Sequence, residues 1–322
     1  MMKNRLLGCL AACLLPLVAF AQGSYPDRPI RLVVPFAPGG VTDTSGRVIA
    51  EALSKRLGQQ VVVENKAGAS GNIGTQAVVT AVPDGYTLVL GFDGTLVINP
   101  HVFATVPFDT LKDLAPVGKI GDADLIIVAH PAFPPKTLQE LIAYSKKDPK
   151  GVSYGTSGIG GTPHIAGELL NQQTGSKLVH VPYKGGGQAM SDALGGQIPL
   201  VFTAVAGAQQ HVKSGKLNAI AVSSSKRSSS LPDVPTFVES GVTDFVVSSW
   251  VGILAPAKTP QPIIDKLNRE LNAVLASPEM IEQLAKLGIA ATPGTPDAFG
   301  AQLKSDLAKY GRVVKTAGIK AE

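Results

Sequence analysis

The chain has 322 residues, 44% of them hydrophobic and 16% charged, with a formal net charge of +5. That apolar content excludes a disordered polypeptide, and the length suggests two lobes rather than one small module. Basic residues are scattered, with only short pairs such as Lys146-Lys147 and Lys226-Arg227, which argues against nucleic acid as a partner.

Lys3 and Arg5 lead into an apolar run over 6–18, followed by Ala19-Phe20-Ala21 and polar Gln22-Gly23-Ser24. This is the three-part pattern of a secretory signal over 1–21, with cleavage expected after Ala21. A rival reading takes Leu10-Ala11-Ala12-Cys13 as a lipoprotein box, but it would leave an apolar 14–21 stretch on the mature chain. Both cysteines, Cys9 and Cys13, lie in the removed segment, so disulfides, thiol catalysis and cysteine metal sites are not expected. A soluble mature protein is expected, because no later apolar run approaches the roughly 20 residues of a spanning helix.

Residues 30–35 read as a strand ending in Phe36-Ala37-Pro38-Gly39-Gly40. A helix should follow, with Val48, Ile49, Ala52, Leu53 and Leu57 at helical spacing and Gly58 as its stop. Residues 61–64 repeat the unit, with the 65–71 loop and a helix to about Thr80. Residues 86–91 begin a third, ending in Phe92-Asp93-Gly94-Thr95. Successive strand, glycine loop and helix units imply a parallel sheet covered on both faces.

The pattern restarts at 125–129, with a helix over 138–145 and a strand over 152–155. Thr156-Ser157-Gly158-Ile159-Gly160-Gly161 follows, and Thr162-Pro163 reads as an N-cap and first-turn pair. Further strands fit 178–181, 199–202 and 217–222. Residues 223–235 read as a connection and 250–255 as a last strand. Three amphipathic helices then close the chain with no strand between them, and they are expected to pack back on the first lobe. The predicted division is lobe 1 over 22–123 plus 224–322 and lobe 2 over 124–223, joined by two crossing segments.

Val34-Pro35-Phe36-Ala37-Pro38-Gly39-Gly40 and Val181-Pro182-Tyr183-Lys184-Gly185-Gly186-Gly187 share valine, proline, an aromatic and two glycines at matched positions. Each loop precedes a helix, whose first N–H groups are free to bind an anion. One such loop is as well explained by a tight turn. Five at strand ends favour a ligand beyond the strands' carboxyl ends. No loop carries the Gly-Lys-Ser/Thr of a Walker motif, and the dinucleotide pattern fails at 158–163, so the loops argue against nucleotides and suit a carboxylate better. A helix terminus contributes about 0.3–1 kcal/mol, whereas micromolar binding needs about 8 kcal/mol. Lobe closure and hydroxyls from Ser70, Thr95, Thr156, Ser157 and Thr162 must supply the rest.

Catalytic readings are weaker. Gly155-Thr156-Ser157-Gly158-Ile159 and Gly68-Ala69-Ser70-Gly71-Asn72 both miss the last glycine of a nucleophile elbow. His164 and Glu168, four apart, fall short of a zinc site and read as a helix-surface pair, although His164 also joins the candidate ligand set. Asp43 and Arg47 read as a helix N-terminal acid with its i, i+4 partner, with Arg47 within reach of a ligand.

The chain resembles the Bug-type periplasmic binding proteins, the substrate-binding components of tripartite tricarboxylate transporters. The resemblance covers essentially the whole mature chain. It rests on Tyr25-Pro26, Arg28-Pro29-Ile30, Pro35-Phe36 with Gly39-Gly40 and Asp43, Glu64-Asn65 with Gly68-Ala69, Asp84-Gly85-Tyr86, Asn99-Pro100, Pro182-Tyr183-Lys184-Gly185 and Gly252 with Ala255-Pro256. It implies an α/β type II periplasmic binding protein fold, two lobes closing as a flytrap on a small organic carboxylate, with no cofactor or metal. It further implies delivery to membrane permease subunits of a tripartite tricarboxylate transporter from the periplasm, and a monomer is expected. The ligand set it implies is Phe36, Ala37, Pro38, Gly39 and Gly40, with Thr156, Ser157, Gly160, Gly161 and Thr162, and Tyr183, Lys184, Gly185 and Gly186.

Two departures stand out. Gly46 replaces the alanine common in the family. Asp93 lies in a variable stretch, so if it faces the cleft it predicts a preference for monocarboxylates or amino acids over citrate-like ligands. Signalling to a membrane sensor kinase and a periplasmic hydrolase, testable at Ser157, remain the alternative functions.

Overall fold

A computed structural model describes residues 25–38, 41–183 and 186–320. The signal segment, Gly39, Gly40, Lys184 and Gly185 therefore lie outside the described residues. Strand β1 (Ile30–Val34) is an apolar run whose side chains are buried except at Arg31. After it, α1 (Val41–Leu57) runs until Gly58 turns left-handed at φ 68°. Then come β2 (Val61–Asn65), α2 (Asn72–Val79) and β3 (Thr87–Phe92). β1 pairs in parallel with both β2 and β3, as the repeated unit predicts. A π-helical turn (Gly94–Ile98), α3 (Asn99–Val102) and α4 (Thr110–Asp113) lead to β4 (Leu114–Ala129), a 16-residue strand.

The second half runs through α5 (Leu138–Lys147), β5 (Val152–Thr156), α6 (Thr162–Thr174), β6 (Leu178–Pro182), α7 (Gly186–Leu194), β7 (Leu200–Ala204), α8 (Val205–Lys213) and β8 (Asn218–Val222). The chain ends with β9 (Ser248–Pro256), α9 (Gln261–Leu275), α10 (Pro278–Lys286), β10 (Ala290–Ala291) and α11 (Pro296–Ala317). β10 corrects the expectation of strand-free terminal helices. It is only two residues long and pairs with Gly121 and Asp122 of β4. The cap of α6 is Gly161 rather than Thr162, because Thr162 turns its hydroxyl elsewhere.

The strands form one mixed sheet in the order β2-β1-β3-β9-β4-β7-β5-β6, with β8 and β10 also on β4. β4 is the spine. Its residues 114–124 pair with β9, and its residues 125–129 pair with β7 and β8. β3 and β4 are each antiparallel to β9, so β1, β2 and β3 point the same way as β4, toward the second half. β7 is antiparallel to β4 and parallel to β5, which is parallel to β6, so these three point back. The carboxyl ends of the two strand sets therefore face each other across the middle of β4. Phe92 lies level with Gly121 through Val251, and Ala204 lies opposite Leu125. Four residues at about 3.3 Å each put roughly 13 Å between the two levels.

One apolar core backs the first lobe, where Ile30, Leu32 and Leu88 meet Ile264, Leu267 and Leu271 of α9. A second joins Ile126, Val128, Met190 and Val201. A third spans both lobes, linking Val89 and Leu96 to Tyr154, Phe202, Trp250, Phe299 and Tyr310. α11 packs on β4 and also on α6 of the opposite lobe. Residues 224–247 were expected with the first lobe; Lys309 of α11 does reach the Val246 carbonyl at 2.6 Å, but other contacts of this segment are with the second. Thr236 bridges Val222, Phe237 stacks on Phe202 at 5.8 Å, and Leu231 and Val234 join the core of Val128.

Candidate functional site

The loops after β1, β2 and β3 form one cluster. Phe36 is half-buried with its ring edge-on to Phe92 at 5.6 Å, while Ala37 and Pro38 are exposed. The loop is braced from behind. Asn65 Nδ2 donates to the Phe36 carbonyl at 3.0 Å and to Asp43 Oδ1 at 2.7 Å. Arg47 completes the brace, donating to Asp43 Oδ2 at 3.0 Å and to Asn65 Oδ1 at 2.9 Å. Arg47 is thus engaged with its own helix and β2 rather than reaching for a ligand.

In the second loop Gly68, Ala69, Ser70 and Gly71 all have positive φ, including 46° and 52° at the two non-glycines. Such residues cost of order 1–3 kcal/mol each and persist where their surroundings hold them. Here the Ser70 carbonyl accepts from Thr95 Oγ1 at 2.8 Å and from Asn99 Nδ2 at 3.0 Å. The close approach also needs Gly71, whose added Cβ would sit 2.4 Å from Thr95 Oγ1 and 3.3 Å from the Phe36 ring. Phe36, Ser70 and Thr95 are thereby brought together, with the Thr95 hydroxyl holding the loop.

The second-lobe cluster lies at the ends of β5, β6 and β7. Thr156 is buried. Its hydroxyl donates to the Gly158 carbonyl at 3.0 Å and lies 2.7 Å from His180 Nε2. His180 stacks on His164 at 3.6 Å, and His164 Nδ1 accepts from the Gly160 N–H at 3.1 Å. His164 is therefore not part of a surface pair, because it is 6% exposed and sits 4.0 Å from Glu168. Burial pushes His164 down to about 4, and burial together with the neighbouring His164 pushes His180 down to about 3. Both rings are neutral at pH 7, and they support the 157–161 loop from below.

Ser157 is exposed, while Gly161 and Gly186 are half-buried. A Cβ on Gly186 would lie 3.9 Å from both Ser157 Cβ and Thr203 Oγ1. Tyr183 hands its N–H to the Thr156 carbonyl at 3.1 Å and its hydroxyl to Asp192 at 2.9 Å, leaving its ring half-exposed. Sequence reasoning missed Thr203 because no glycine loop marks the junction of β7 and α8. It also missed Asn65, Asn99, His180 and Ser249, whose roles exist only in three dimensions.

Asp93 joins the clusters. It is fully buried at the end of β3. Its Oδ2 accepts from Thr162 Oγ1 of the second lobe at 2.5 Å, and its Oδ1 accepts from Ser249 Oγ of β9 at 2.8 Å. Both of its oxygens are engaged by hydroxyls, one from the opposite lobe and one from β9. Gly160 also touches the opposite lobe, since a Cβ there would lie 3.3 Å from Val102. Several expected ligand donors are thus engaged within the protein: the hydroxyls of Thr95, Thr156 and Thr162 and the amides of Gly160 and Tyr183.

Residues 46–319 match the family described as the tripartite tricarboxylate transporter family receptor, TctC. The chain belongs to this receptor family. Among TctC relatives, BugT of Bordetella pertussis is 38% identical over 298 residues, covering 92% of this chain and 91% of BugT. An R. palustris protein solved with adipate superposes with a TM-score of 0.79 at 33% identity, covering 92% of this chain and 99% of that one. MatC from Rhodopseudomonas palustris with bound malate gives 0.75 at 31%, covering 90% and 100%. As in other TctC receptors, the fold is that of a two-lobed periplasmic binding protein. No helix among the described residues is long and apolar enough to cross a membrane.

Proposed function

We propose that this TctC receptor captures a small organic dicarboxylate between its lobes in the periplasm and delivers it, as a monomer, to the permease of a tripartite tricarboxylate transporter. The observation that carries this reading is the opposed strand polarity on either side of β4. It aims the helix-starting loops after β1, β2 and β3 at those after β5, β6 and β7, across roughly 13 Å. A molecule with one carboxylate at each end suits that arrangement, and the adipate and malate of the two relatives are such molecules.

The residues proposed to face the ligand are Phe36, Ala37, Pro38 and Ser70 from one side and Ser157, Gly161, Tyr183 and Gly186 from the other. Gly39, Gly40, Lys184 and Gly185 are assigned with them from their place in the same loops. The lobes are proposed to divide at residues 124/125 and 247/248, where the partner of β4 changes and β9 begins.

Native mass spectrometry of the purified protein, with calorimetry using malate, adipate and acetate, tests the reading. Binding of a dicarboxylate more tightly than acetate is expected. Failure of all three to bind, with no acid co-purifying, would overturn it.

A further inference from the structure

Asp93 is a buried acid on which both lobes and a crossing strand converge. Thr162 begins α6 of the second lobe, Ser249 lies on β9, and the Gly94 N–H of its own turn also bonds it. Among the described residues, the other titratable groups around it bring no cation close. α11 contributes Asp306 and Tyr310, of which Asp306 is engaged by the Trp250 indole at 2.9 Å and has Lys309 nearby. Asp122 of β4, which acts on Tyr310, is already paired with Lys119 at 2.7 Å. On α6, His164 two residues beyond Thr162 is neutral and stacks on His180. An ionised carboxylate here is stabilised by three donors but is desolvated with no countercharge among the described residues. A protonated one satisfies itself by donating to a hydroxyl, since Thr and Ser can both accept.

The same carboxyl lies under the proposed ligand cleft, two residues from Thr95 and bonded to the first residue of α6. We propose that Asp93 is a proton-linked tie between the lobes: it holds the start of α6 to the first lobe through the Thr162 hydroxyl, which donates to the ionised carboxylate or accepts from the protonated one, and ionised it opposes a second anion in the cleft, so that loading an anionic ligand draws a proton onto it. The coupling to ligand rests on the carboxylate-binding reading above, whereas the tie does not. Burial pushes the Asp93 carboxyl up to about 7, which places the exchange near neutral pH. Linkage requires that if an anion raises the proton affinity of Asp93, protonation of Asp93 raises the affinity for the anion by the same factor.

The sign for stability follows from the same equilibrium. The unfolded carboxyl is ionised above about pH 4, while the folded one keeps its proton to about 7. Raising the pH between those values therefore removes stability from the folded protein. In ligand-free protein, urea denaturation at pH 5, 7 and 8.5 should show wild type losing stability relative to Asp93→Asn as pH rises. Ser249→Ala, which removes a donor to the ionised form, should move the pH at which that stability is lost upward. Parallel pH profiles in wild type and Asp93→Asn, or an unmoved transition pH in Ser249→Ala, would overturn the tie.

The ligand arm uses calorimetry with malate at pH 7.5 in two buffers of different ionisation enthalpy. Wild type should take up a substantial fraction of a proton per malate and lose up to about tenfold in affinity between pH 6.5 and 8.5. Asp93→Asn should do neither. Malate binding without proton uptake would sink the coupling and leave the carboxylate reading standing. Absence of binding by malate, adipate and acetate would sink that reading and the coupling with it, while the ligand-free arm still decides the tie.

Discussion

The stacked imidazoles of His164 and His180 are neutral because burial disfavours their charged forms, and this fixes their chemistry. His164 Nδ1 accepts from Gly160, so protonating that nitrogen would set a donor against a donor. Unfolded histidine titrates near 6.5 and folded His164 near 4, so stability is present above about 6.5 and is lost as the pH falls toward 4. His164→Asn retains an acceptor without the titration. It should remove up to roughly 3 kcal/mol of the change in unfolding free energy across that window, checked by urea denaturation at each pH. His164→Leu should instead free the Gly160 amide and weaken ligand binding. This role was not legible in the sequence, since the spacing of His164 and Glu168 shows a shared helix face but not that β6 lays His180 against it.

Elements built from repeated patterns were legible, and those shaped by contacts were not. The apolar runs of β1 and β3, each followed by a glycine loop, identify themselves because a buried parallel strand needs apolar side chains on both faces, and β2 at the sheet edge repeats the unit. The first part of β4 is interrupted by Gly118 and Gly121 and by Asp122 and Asp124, so its period disappears. Gly121 is required there because an added Cβ would lie 2.3 Å from the Ala290 carbonyl of β10. α6 shows the same demand for space, since a Cβ on Gly167 would lie 2.3 Å from the Tyr154 ring and hydroxyl. Tyr154 is fully buried and its hydroxyl reaches the His164 carbonyl at 3.2 Å. Gly167→Ala should therefore be destabilising. The overpacking cost of about 1–3 kcal/mol exceeds the helix-propensity gain of up to about 1 kcal/mol. Urea denaturation at pH 7 checks it, and an unchanged or raised midpoint would contradict the close fit of α6 on β5.

Across the whole molecule, the lobes meet at several points that no single element controls. On one side are the Asp93–Thr162 bond, the Gly160–Val102 contact and the packing of α11 on α6. Another contact is at Gly288, in the turn between α10 and β10 of the first lobe, where an added Cβ would lie 2.3 Å from Cβ of Ala206 at the start of α8. Gly288 has φ 73°, so an alanine there carries two penalties, backbone strain of about 1–2 kcal/mol and a collision with the other lobe. Gly58 separates them, because it has φ 68° and nothing within 4 Å of the same position. Gly58→Ala should cost stability alone. Gly288→Ala should cost similar stability and also push the lobes apart, raising the radius of gyration in small-angle scattering. Trp250 offers a second readout, since it is buried on β9 beside Ser249 and stacks edge-on with Phe299 at 5.1 Å, so its emission should shift to the red if the seam opens. A Gly288→Ala protein with the scattering and emission of Gly58→Ala would show that this contact does not set the distance between the lobes.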